Sequence, residues 1–103
     1  MIGDLLGKLK DVQANMEASK QKLEEIIVQG QSEGGMVKVS CTANKRVIEI
    51  IIDPKIVAQN DAVNLQQLVM TAVNNAMNEA SKIAESEMKN TAKGMMPNIP
   101  GLF

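Results

Sequence analysis

The order of residues from Gly34 to Pro54 constrains this chain more than any other stretch. Val37, Val39, Cys41 and Ala43 alternate with Lys38, Ser40 and Thr42, the two-residue period of a strand that buries one face. A second run sets Ile48, Ile50 and Ile52 on one face and Val47, Glu49 and Ile51 on the other, and that other face is only partly polar. Between them Ala43-Asn44-Lys45-Arg46 supplies a reversal, with Asn44 the residue best suited to a positive φ. Gly34-Gly35 opens the unit and Asp53-Pro54 closes it.

Helical patterns lie on both sides. From residue 2 to about 24, Ile2, Leu5, Leu9, Val12, Met16, Ser19, Leu23 and Ile26 recur in alternating steps of three and four, a heptad seam broken only by Ser19. Asp4–Lys8 and Glu17–Lys20 have the spacing of ion pairs on its solvated face. Ile26-Ile27-Val28 is β-branched and loses helix preference, so about 25 to 31 reads as a third strand, with helix continuing to Val28 as the alternative. Beyond Pro54, residues 55–58 fit a single helical turn, and Asp61 is a good N-cap for a long helix. Leu65, Leu68, Val69, Ala72, Val73, Ala76, Met77, Ala80, Ile83, Ala84 and Met88 form its apolar stripe, whose alanines permit close approach of a neighbouring helix. The expected fold is α+β: a three-stranded antiparallel sheet flanked by two long helices, in the order α-β-β-β-short α-α. Residues 1–93 would make a single domain, and 94–103, rich in Gly, Met and Pro without periodicity, a flexible tail.

The double glycine, the apolar-Val-Lys-Val strand, the short turn, the second strand ending Ile-Asp-Pro, the long Ala/Asn-rich helix and the Pro-Gly-Leu-Phe end together resemble the YbaB/EbfC family of small bacterial DNA-binding proteins. The likeness spans nearly the whole chain and lies in order and spacing, since no single motif is specific. It implies a tweezer-like homodimer in which the first and last helices form the arms. It also implies a protein of the cytoplasm and nucleoid, encoded near replication and recombination genes.

Composition narrows the chemistry. There is no histidine and one cysteine, which removes the commonest general base and any ordinary zinc site. Cys41 can form no intramolecular disulfide, which fits a reducing cytoplasm, and it shares the apolar face of Val37 and Val39, so it reads as a small core residue. Gly30 to Gly35 has P-loop glycine spacing, but Met36 and Val37 stand where Lys and Ser/Thr belong. Carboxylates such as Glu24-Glu25 and Glu85–Glu87 read as helix-surface charges. No catalytic residue, metal site or cofactor is therefore expected, and no enzyme. No apolar run reaches the roughly 20 residues of a membrane span, and charges interrupt the opening segment.

Phe103 is the only aromatic residue, so base stacking is not available as a binding mode. A ringless core in 103 residues is also thin, which favours self-association. A helix of about 30 residues runs roughly 45 Å, against about 23 Å for a seven-residue strand. The sheet therefore cannot cover both apolar stripes along their length, and the uncovered parts must pack on each other, on a second copy, or on both.

Eleven basic residues face twelve acidic ones, so any nucleic-acid surface depends on how the charge is sorted in space. The candidate DNA contacts are Lys8, Lys10, Lys20 and Lys22 on the first helix and Lys82, Lys89 and Lys93 on the last, where the helix dipole also favours cations. Lys45 and Arg46 at the turn make a second, separate basic spot. Each also reads as an ordinary solvated cation. The leading expectation is a homodimer binding double-stranded DNA through phosphate contacts with little or modest sequence specificity. The alternative is a non-enzymatic accessory protein of replication or recombination without DNA affinity of its own.

Overall fold

A computed structural model describes residues 2–95, with side chains described from Asp4 to Thr91. Helix α1 covers Ile2–Glu25, strand β1 Ile27–Ser32, β2 Val37–Thr42 and β3 Val47–Ile52, followed by the short helix α2 at Pro54–Ala58 and the long helix α3 at Ala62–Met95. The strands form one antiparallel sheet in the order β1-β2-β3. The α+β order is the one expected, with α1 ending before the β-branched run rather than continuing to Val28. At the other end α3 passes through Gly94 to Met95, two residues into the expected tail, and 96–103 lie outside the described residues.

One face of the sheet carries the core. Val37, Val39 and Cys41 of β2 are fully buried against Ala72, Ala76 and Ala80 of α3, with Leu68 and Ile56 closing the cluster. The small side chains let α3 lie close to backbone, and what approaches is strand β1 rather than another helix. A Cβ built on Gly30 would stand 2.2 Å from the Ala76 nitrogen and 2.3 Å from the Ala72 oxygen. Polar groups stitch the contact. The Ser32 hydroxyl donates to the Leu68 carbonyl at 2.7 Å and the Asn75 amide to the Gln31 carbonyl at 3.0 Å. Cys41 is the core residue its position suggested, its thiol 3.6 Å from the Ala76 carbonyl, and burial pushes its pKa up.

Turn chemistry departs from expectation at one position. Lys45, not Asn44, takes the positive φ, at 68°. The Lys45 amide donates to the Thr42 carbonyl at 2.9 Å, and the Thr42 amide to the Arg46 carbonyl at 2.9 Å. That is a type I turn followed by one left-handed bulge residue, which places the demand one step later. Asn44 is used elsewhere: its amide donates to the Lys20 carbonyl at 2.8 Å and to Glu24 at 2.9 Å. The Ala43 amide reaches the Leu23 and Ile26 carbonyls as well, so the turn satisfies carbonyls that the end of α1 leaves without helical partners. Before β2, Glu33, Gly34 and Gly35 take φ of 49°, 62° and 94°, the left-handed stretch for which the paired glycines are suited.

A bulge between Ser40 and Cys41 pairs Cys41 with Val47 and Ser40 with Glu49, leaving Ile48 as the extra residue. The expected two-face alternation of β3 therefore fails at its start. Helix α3 lies over β1 and β2, and β3 is left uncovered, with Val47, Ile48, Ile50 and Ile51 all exposed.

Helices α1 and α3 run antiparallel. Lys22 meets Glu87 at 3.2 Å, and one turn farther out the Ser19 and Thr91 hydroxyls are 2.6 Å apart. Ser19, the break in the heptad, is thus a buried polar link. Farther out, Leu5, Leu9, Val12 and Met16 of the same seam are exposed. The body measures 67 × 27 × 19 Å.

Candidate nucleic-acid interface

The first sorting of the cations is by partner. Lys22 pairs with Glu87 at 3.2 Å and Lys82 with Glu79 at 3.2 Å. Arg46 closes on Glu24 through both Nε and Nη2. These three of the sequence candidates are held by carboxylates of the same chain. The expected Asp4–Lys8 and Glu17–Lys20 pairs are not among the ion pairs of the described residues.

Lys8, Lys10, Lys20, Lys45 and Lys89 are exposed and have no carboxylate within ion-pair distance among the described residues. The side chain of Lys93 lies outside the described residues. Lys8 and Lys10 sit on the outer part of α1, beyond the level at which Ser19 meets Thr91 near the described end of α3. Lys20 lines a groove of about 260 Å³ with Glu17, Gln21, Glu24 and Asn44.

The turn is not remote from the last helix. Lys45 lines a second groove, about 330 Å³, with Ser81, Ala84, Glu85, Met88 and Lys89 of α3. The β2–β3 turn therefore stands between the two long helices, held to α1 through Asn44 and Arg46 and facing α3 through Lys45. Nothing in the sequence shows that residues 45 and 89 line one groove, because that depends on how far the hairpin reaches past the end of α1.

Glu24 is the electrostatic centre of this junction. Hydrogen bonds from Asn44 and Arg46, helped by the Arg46 charge and the Thr42 hydroxyl, hold its carboxyl below the ordinary value, against a smaller opposing effect of burial. Read from the sequence, Glu24 is a surface-helix charge; its role here comes from residues 18 to 22 positions away. Lys38 on β2 and Lys55 on α2 are also exposed and unpaired among the described residues, but neither lies on α1 or α3.

A sequence profile described as the YbaB/EbfC DNA-binding family matches residues 1–95. A nucleoid-associated protein of Pelodictyon phaeoclathratiforme is 36% identical over 95 residues, 92% of this chain and 84% of that protein. Another, from Alkaliphilus metalliredigens, is 37% identical over 102 residues, 99% of this chain and 88% of that protein. A crystal structure of an uncharacterized Helicobacter pylori protein superposes with a TM-score of 0.70 at 26% identity, covering 94% of this chain and 98% of that one.

Proposed function

This chain belongs to the YbaB/EbfC DNA-binding family, and from that premise we propose that it binds double-stranded DNA as a homodimer in the cytoplasmic nucleoid. Specificity is little or modest, and the consequence is on nucleoid organisation and gene expression. The observation that carries the reading is the sorting of cations: Lys8, Lys10, Lys20, Lys45 and Lys89 remain free of carboxylate partners among the described residues although the chain is net acidic. Flexible ammonium groups contact phosphate oxygens, which gives affinity and register but little base information. Without aromatic rings before Phe103, stacking adds nothing to that.

The uncovered β3 supports the dimer. Its outer edge presents unpaired backbone groups beside exposed Val47, Ile48, Ile50 and Ile51, a surface that pairing with a second copy would cover. Two copies joined there would carry two sets of arms, doubling the phosphate contacts.

The test is fluorescence anisotropy of a labelled duplex of about 30 base pairs over a range of salt concentrations, where log affinity falls with log salt by about 0.9 per phosphate contact. Saturable, steeply salt-dependent binding is the expected result. A folded, dimeric protein that leaves the duplex free at low salt overturns it.

A second reading is favoured by the exposed Leu5, Leu6, Leu9, Val12 and Met16 on α1. In it, the arms hold a protein of the replication or recombination machinery. Under that reading anisotropy stays flat in all salts.

A further inference from the structure

We infer that the groove between the β2–β3 turn and α3 seats one phosphate of the DNA backbone between the ammonium groups of Lys45 and Lys89. This rests on the DNA-binding reading above and gives it a location that neither the long helices nor the turn supplies alone.

Three observations converge on it. First, the two cations come from elements 44 positions apart in sequence, yet line one groove of about 330 Å³. Lys22, Arg46 and Lys82 already hold Glu87, Glu24 and Glu79, so a phosphate there would replace one exposed ion pair with another for little gain. Lys45 and Lys89 have no such competitor within ion-pair distance among the described residues.

Second, the turn is fixed on both sides of Lys45. Asn44 is bonded to the Lys20 carbonyl and Glu24, Arg46 to Glu24, and the Arg46 amide to the Thr42 hydroxyl at 3.3 Å. Lys45 itself sits at φ 68°, a left-handed conformation that glycine or asparagine takes more easily. Backbone preference therefore does not account for lysine here, whereas a cation held on a rigid turn does.

Third, the charges match. Glu85 also lines the groove, so its two ammonium groups leave a single net positive charge. That complements a phosphodiester, which carries one negative charge, better than a doubly charged phosphate monoester. Ser81 adds a hydroxyl, and Ala84 and Met88 an apolar wall against which the sugar can rest.

The glycine preference at Lys45 also supplies a clean variant. K45G removes the ammonium group while giving the turn a residue suited to its φ, so the cation is lost without straining the turn. Wild type, K45G, K89A, the double variant, E85Q and K55A would be titrated against the same labelled duplex at several salt concentrations, with thermal unfolding recorded for each. Lys55, exposed and unpaired on α2, serves as the control cation. K45G should unfold at or above the wild-type midpoint. K45G and K89A should each weaken binding several-fold, and the double variant should lower the log–log salt slope by about 0.9 in all, the loss of one phosphate contact. E85Q should tighten binding and K55A leave the slope unchanged. A folded double variant with the wild-type slope overturns the phosphate seat while the DNA reading stands. So does K55A weakening binding as much as K45G, which would mean a diffuse charge effect. A wild-type protein that binds no duplex overturns both.

Discussion

Gly30 shows how much one missing methyl group decides. The backbone of α3 occupies the space that any Cβ there would need, at 2.2 and 2.3 Å, and neither atom belongs to a movable side chain. G30A should therefore lose about 3 kcal/mol or more, at the upper end of overpacking costs, and urea unfolding would measure it. At Glu24 the expected effect is on acid stability. Its carboxyl is held below the ordinary value of 4.5 by Asn44 and Arg46, so its contribution is complete above that pH and lost as pH falls through the lowered value. Between neutral pH and about pH 3, the urea midpoint of wild type should fall more steeply than that of E24Q. A parallel decline in the two proteins would remove Glu24 from the acid response. Residue-level chemistry was only partly legible in the sequence. Cys41 and the paired glycines read correctly because their roles are local, whereas Asn44 was misplaced because its preference for a left-handed φ was outweighed by bonds to α1, 20 and 24 residues away.

Elements were legible wherever periodicity was strong. The order of helices and strands, the turn after Asp53 and the cap at Asp61 follow from local patterns, and the Asp61 carboxylate does accept from the Asn64 amide at 3.1 Å. Which faces meet was not legible. The alanine pattern of α3 suits the approach of a helix, and it receives a strand because Gly30 has no side chain to prevent it. Among the described residues of α1 the seam is used only at its inner end, through Ser19 and Leu23. Strand β3 is paired on one edge only, and its Ile50 is 45% exposed despite lying opposite fully buried Val39. I50E should therefore cost the isolated chain little, and by light scattering after size exclusion it should convert the proposed dimer to a monomer. A dimer that survives with unchanged dissociation would move the interface elsewhere.

For the molecule as a whole, sequence and structure disagree most over charge. A net of −1 predicts little affinity for a polyanion, but pairing within the chain removes several acidic groups from play as well as several basic ones. What a partner meets is the residue left over, distributed along a body 67 Å long. The uncovered strand has a further effect. A fold whose last strand is finished by another copy of itself obeys mass action, so its thermal midpoint should climb with protein concentration, and a differential scan across a hundredfold dilution would register the shift. An unchanged midpoint would mean that each chain stands alone. On the proposed dimer, abundance becomes a control in its own right: a sparse protein would be both less stable and single-armed, and a plentiful one would grip the duplex from two sides.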